Sequence, residues 1–360
     1  MSTGAARDRA MMLRDGFAGQ GAEVIDCAIL QPAETLLDLY GEDIRARAYV
    51  TQDPARGERM LRPDFTVPVV QMHMAEGAEP ARYTYAGEVF RRQEDHPERA
   101  SEYLQVGFEV FDRADPEAAD AEVFVAIRDA LGALPVRAVT GDIGVLTAAV
   151  AGLDTSEARR AALMRHIWRP KRFRALLARY AGKTPVPEGR AALLAAADPM
   201  AGAGPLIGLR SREEIAARIE TLRADAAEPP IAKSEIEMID ELLSVAETCP
   251  FALEHLKHIA MDFPVLRDAV ARFERRCDAL SARGVDVDAL MFEASYGRTS
   301  MEYYDGFVFG FGAEARPDLP PVASGGRYDA LTARLGAGRS IPAVGGVIRP
   351  DLTLMLECGV

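Results

Sequence analysis

The chain is poor in cysteine. Cys27, Cys249, Cys277 and Cys358 are scattered through 360 residues with no metal-ligand spacing. That pattern excludes a disulfide framework and a cysteine-built zinc site, and leaves reduced thiols in a cytoplasmic protein. No apolar run reaches membrane-spanning length. The opening MSTGAARDRAMMLRDG has no long apolar stretch and no cleavage pattern, so neither a membrane contact nor a secretory leader is expected. Positive charge is in deficit: 42 Lys and Arg against 55 Asp and Glu give a net charge of −13. A local basic patch is still allowed, but a large nucleic-acid surface is not expected. His255 and His258 share a helical spacing without a third ligand nearby, so no metal and no cofactor is expected. No segment repeats at a fixed period.

What remains is an ordinary globular composition, 49% hydrophobic and 27% charged, long enough for one or two domains. A first helix should end near Gly19 to Gly21. A strand over Glu23 to Ile29 should stop at Pro32, and a short helix should follow over Thr35 to Tyr40. Ala48 to Thr51 and Glu58 to Arg62 predict a hairpin around Asp53-Pro54. Apolar periodicity predicts helices over Asp115 to Ala133, Ile143 to Ala151 and Val265 to Arg283. Between 155 and 262 the texture is helical, with Pro/Gly breaks. There Ser211 with Glu214, and Ser234 with Glu237, have capping-box spacing. The basic run Arg165 to Arg179 is either a solvated helix face or a partner or anion contact. Val287 to Glu293 reads as a short strand and Tyr303 to Gly312 as a central one. Ala323 to Leu331 reads as a glycine turn leading into a helix.

The stretch RYTYAGEVFRRQEDHPERASEYLQVGFEVFD, Arg82 to Asp112, reads as strand, polar loop, strand. On the return strand Leu104, Val106, Phe108 and Val110 share an apolar face. Tyr103, Gln105, Gly107 and Glu109 share the other. An amide and a carboxylate beside a glycine suit a small ligand's amine, with room for it above Gly107. A solvent-facing hairpin would alternate in the same way. Asp64 in LRPDFTVPVV can cap a helix from Thr66 onward, a role compatible with a second one.

Phe90-Arg91, the polar loop and Gln105-Val106-Gly107-Phe108-Glu109 resemble motif 2 of class II aminoacyl-tRNA synthetases, most closely the histidyl type. Leu61 to Val70, Glu302 to Phe309 and Ser324 to Asp329 resemble three further segments of that type, in the right order. The resemblance implies an α+β fold. It would be a class II synthetase-like antiparallel sheet flanked by helices, over 1–154 and 263–360, with a mainly helical insertion over 155–262. It also implies a histidine pocket. Asp64, Thr66 and Glu109 would take the ammonium group, Arg91 the carboxylate, and Gln105, Tyr303 or Tyr304 the ring. Arg327 and Tyr328 would form a pocket loop.

Departures bear on activity. Thr299 stands where the catalytic arginine is expected, Leu352 where motif 3 has its ATP-gripping arginine, and Gln93 where motif 2 has a glutamate. The chain ends at Val360, directly after motif 3, so no anticodon-binding domain is expected. Each lost charge would cost about a hundredfold in rate. The pattern is similar to the regulatory-subunit family of ATP phosphoribosyltransferase. That similarity implies a non-catalytic partner of the short catalytic subunit and a homodimer within a hetero-octamer. It also implies feedback inhibition by histidine. Two other readings are open: an amino-acid–adenylate-forming enzyme acting on a non-tRNA carrier, and a free-standing RNA-binding relative.

Overall fold

The structure, a computed structural model, describes residues 3–40, 47–93, 98–201, 203–298 and 303–359. Thr299 and Glu302 lie outside the described residues, as does part of the 93–101 loop. The Cα framework forms two compact units, Met1–Val145 with Leu243–Val360, and Leu146–Leu242. The expected division was at 155 and 262.

In the larger unit, nine strands of the described residues form one sheet. They are β1 (Glu23–Val24), β5 (Ala81–Phe90), β6 (Glu102–Phe111), β7 (Val136–Asp142), β8 (Ala246–Thr248), β9 (Met291–Glu293), β10 (Phe307–Ala313), β11 (Ala323–Arg327) and β12 (Ala343–Ile348). The order is β1-β5-β6-β12-β11-β10-β7-β9-β8. Only β1 with β5 and β7 with β9 are parallel pairs. A second small antiparallel sheet holds β2 (Leu30–Pro32), β4 (Gly57–Leu61) and β3 (Val50–Asp53), in that order. The strand expected over Glu23 to Ile29 is thus split between two sheets. Between them the Ile25 amide still donates to the Thr84 carbonyl of β5 at 2.9 Å, and the Arg62 amide donates to the carbonyl of Ile29 at 2.8 Å.

One face of the large sheet is covered by helices α1 (Thr3–Gly19), α4 (Pro116–Leu131) and α12 (Arg267–Ala282). Phe17 stacks on Phe108 at 5.3 Å, and Phe124 packs against Phe309 and Phe311. Phe273 lies 4.5 Å from Phe292. Each ring sealed this way contributes about 1.5–3 kcal/mol. The same layer buries a charge network. Arg276 Nε donates to Asp120 Oδ2 at 2.9 Å and its Nη2 to Asp142 Oδ2 at 2.7 Å. Arg327 donates twice to Asp120 Oδ1, at 3.0 and 2.8 Å.

The segment expected as a glycine turn is strand β11, in the middle of the sheet. A Cβ on Gly325 would overlap the Gly345 carbonyl oxygen and the Phe309 ring. The glycines there answer a close approach of backbone, not a reversal of the chain. The opposite face is sealed too. Tyr103, Gln105, Gly107 and Glu109 are all buried, so the solvent-facing reading of the hairpin does not hold.

The smaller unit is helical: α6 (Glu157–Arg165), α7 (Pro170–Tyr180), α8 (Glu188–Ala195) and α9 (Arg212–Ala227), with parts of α5 (Ile143–Ala151) and α10 (Lys233–Ser244). Buried Arg159 pins α6 to α9, donating to Asp225 Oδ1 at 2.7 Å. Ser211 and Glu214 form the expected capping box. Ser234 lies inside α10. Glu235 instead accepts from the Ala232 amide at 3.3 Å, two residues earlier in register. Pro170 opens α7 and divides the basic run, of which Arg165, Lys171, Arg172 and Arg174 are exposed. No helix among the described residues is long and apolar enough to cross a membrane.

Candidate functional site

Alternation along β6 sends Tyr103, Gln105, Gly107, Glu109 and Phe111 to the face away from α1 and α4. Register sets Glu109 between Tyr83 of β5 and Gly345 of β12. A Cβ on Gly345 would overlap the Glu109 carboxylate, so glycine there makes the space this side chain fills. Glu109 is 1% exposed. Its Oε1 accepts the Tyr85 hydroxyl at 2.7 Å and Thr66 Oγ1 at 3.2 Å; its Oε2 accepts the Tyr328 hydroxyl at 2.5 Å. Burial pushes its carboxyl up to about 7, and the negative charge of Asp64 pushes the same way, against the three hydroxyl donors.

Thr66 opens helix α3 (Thr66–Glu76). Its hydroxyl passes the network on, accepting the Tyr303 hydroxyl at 3.3 Å. Asp64 is buried and accepts the Val67 amide at 3.3 Å, so it does serve the helix start while facing the same chamber as Glu109. Tyr303 meets Tyr304 edge-on at 4.9 Å and Tyr328 at 6.1 Å. Burial raises the phenols of Tyr85, Tyr304 and Tyr328, so all three keep their protons as donors. Two buried carboxyls in a wall of aromatic rings are groups whose chemistry suits a small cation, an ammonium or an imidazolium.

Gln105 is 2% exposed, and its Oε1 has no hydrogen-bond partner among the described residues. A buried acceptor in that state awaits a donor. Arg91 is half-buried beyond the end of β5, its Nε donating to the Pro63 carbonyl at 2.7 Å. The structure therefore gathers Asp64, Thr66, Glu109, Tyr303, Tyr304 and Tyr328 around one chamber. Arg327 is not among them. It is the last residue of β11, next to Tyr328, and alternation turns it to the helix layer and Asp120. The room expected above Gly107 is also taken: the Tyr85 ring lies where its Cβ would be.

Three residues of this face were not foreseen. Tyr85 is one; the alternating tyrosines of RYTY were its signal. His73 of α3 is another, stacked on Phe111 at 4.0 Å with its Nδ1 3.0 Å from the Tyr83 hydroxyl. Burial holds its pKa below the ordinary value. The third is Arg349, whose guanidinium lies 4.5 Å over the Tyr103 ring. Leu352, at the expected arginine position, is a buried apolar residue of helix α14 (Pro350–Glu357).

Comparison with known proteins agrees with this architecture. The family model described as histidyl-tRNA synthetase matches residues 3–351. An ATP phosphoribosyltransferase regulatory subunit of Brucella ovis is 32% identical over 357 residues, covering 92% of this chain and 93% of that protein. Its counterpart in Brucella anthropi is 32% identical, covering 93% of each. Among solved structures, an ATP phosphoribosyltransferase regulatory subunit/histidyl-tRNA synthetase from Bacillus halodurans superposes with a TM-score of 0.66. It is 18% identical, over 98% of this chain and 79% of that one. A histidine–tRNA ligase subunit from Alicyclobacillus acidocaldarius gives 0.61 at 23% identity, over 99% and 93%.

Proposed function

The chain belongs to the histidyl-tRNA synthetase-like family of ATP phosphoribosyltransferase regulatory subunits, and from that premise we propose that it activates a short catalytic subunit and makes it answer to histidine. The relatives' shared name supports a regulatory role in histidine biosynthesis. The observation that carries the histidine reading is the chamber around Glu109. In this reading the ammonium group sits against Asp64, Thr66 and Glu109. The carboxylate lies toward Arg91, and the ring lies by Tyr303, Tyr304 and the open acceptor of Gln105. The chain performs no catalysis of its own, in keeping with Leu352 and Thr299 at positions where arginines would steady a phosphoryl transition state.

The working form is a homodimer within a hetero-octamer in the cytoplasm. Val24, Ile29, Leu30, Tyr49 and Val50, on and beside the small sheet and β1, expose apolar side chains and support self-association there. The test is phosphoribosyltransferase activity of the short catalytic subunit with and without this chain, across a histidine titration. Activity that appears only with the chain and falls with histidine is the expected result. A catalytic subunit indifferent to the chain would overturn the reading.

A further inference from the structure

Two of the cysteines come together in the fold, toward the other end of the large sheet from β6. Cys249 is the first residue of helix α11 (Cys249–Asp262), and its amide donates to the Leu290 carbonyl at 2.9 Å, just before β9. Cys277 lies on α12, one turn past Phe273, the ring that packs on Phe292 of β9. Each helix thus brings a thiol to the same strand, and the two sulfurs lie within hydrogen-bonding reach of each other. Both are free thiols, Cys249 1% and Cys277 9% exposed. The pair is unequal. The Cys277 thiol, then the Thr140 hydroxyl and the positive charge of Arg276, hold Cys249 below the ordinary thiol value against burial. Its place at a helix start, where backbone N–H groups converge, works the same way. Cys249 and burial push Cys277 up. One sulfur is readied as the thiolate and the other keeps its proton.

We propose that Cys249 and Cys277 are a dithiol that a peroxide closes, reversibly, into a disulfide clamping α11 to α12. The Cys249 thiolate attacks one peroxide oxygen. An S–O bond forms, the O–O bond breaks, and hydroxide leaves to take up the proton Cys249 gave to solvent. Cys277 then attacks the Cys249 sulfur. The S–S bond forms, the S–O bond breaks, and the departing hydroxide takes the Cys277 proton as water. Two thiols are oxidised and one peroxide is reduced to two waters. Burial admits an oxidant as small as a peroxide and keeps bulkier disulfides out. A transient disulfide of this kind is compatible with a compartment that otherwise keeps thiols reduced. Cys277 directly follows Arg276, whose guanidinium ties α12 to Asp120 and Asp142, so the clamp closes beside the buried charge network.

The test uses the full chain carrying Cys27→Ser and Cys358→Ser, which leaves this pair as its only thiols. Under hydrogen peroxide both thiols should be lost together. The intact mass should fall by two hydrogens, the chain should stay uncrosslinked to other copies on a non-reducing gel, and a peptide map should join Cys249 to Cys277. Dithiothreitol should restore both thiols. In the same background, Cys277→Ser should stop at a sulfenic acid on Cys249, captured by dimedone. Cys249→Ser should slow the loss of the Cys277 thiol roughly tenfold or more, because the readied thiolate is gone. The disulfide should raise the melting temperature by restricting the unfolded chain, and peroxide should leave that of Cys277→Ser where it was. Survival of both thiols in the folded chain, at a peroxide concentration that oxidises them in urea, overturns the proposal. So does dimedone capture on both cysteines with no cross-link between them.

Discussion

A carboxyl sealed beneath three hydroxyls, as Glu109 is, either keeps a proton or meets a cation. Its pKa is raised from 4.5 to about 7 in the folded chain. A carboxyl raised by folding stabilises the fold fully below its unfolded value, near 4.5. That contribution is lost as pH rises through about 7. The shift corresponds to about 3 kcal/mol. Glu109→Gln keeps the shape and removes the titration. Urea unfolding of the ligand-free chain between pH 5 and pH 8 should then show a weaker decline than wild type. Some decline will remain, because burial also raises Asp305 to about 7. A proposed ammonium ligand would pull the Glu109 proton off. Histidine affinity in wild type should therefore rise from pH 6 to pH 8, while Glu109→Gln binds weakly at every pH. A pH-independent wild-type affinity would remove Glu109 from the site.

Elements carry the next lesson, and β11 is the clearest case. A Gly-Gly pair marks a turn more often than a strand, and sequence alone has no means to show a neighbour's backbone pressing in. Gly325→Ala should therefore cost about 1–3 kcal/mol, read as a lower urea midpoint, since a carbonyl of β12 and the Phe309 ring stand where the methyl must go. The return strand β6 was legible because alternation is a local property: Phe108 stacks on Phe17 of α1, while Glu109 meets Tyr85 and Tyr328 on the other face. What covers that face is not local. Gly107 read as open space until Tyr85, brought opposite it by the β5–β6 register, filled it. Arg327 and Tyr328 read as one loop because they are neighbours, whereas a strand end sends neighbours to opposite faces. Arg349 escaped notice because a motif comparison asks which charges are missing, not which have appeared nearby.

At the scale of the molecule, the proposed regulation is a question of coupled equilibria. Histidine held inside this chain changes the activity of another chain only if it binds the inactive arrangement of the assembly more tightly than the active one. A coupling of about 1–3 kcal/mol, roughly 5- to 150-fold, would give a usual allosteric response. The coupling is reciprocal. Any ligand of the catalytic subunit that favours the active arrangement must weaken histidine binding to the assembly by that same factor. Calorimetric titration of histidine into the mixed complex, with and without ATP on the catalytic subunit, measures it directly. The expected result is weaker histidine binding with ATP present, by the factor that histidine imposes on ATP. Glu109→Gln should abolish both effects and leave the mass of the proposed hetero-octamer unchanged, because Glu109 is 1% exposed and offers nothing to a partner surface. If the Glu109→Gln assembly were still inhibited by histidine, feedback would have to act through a different pocket, and the chamber would be left with binding alone.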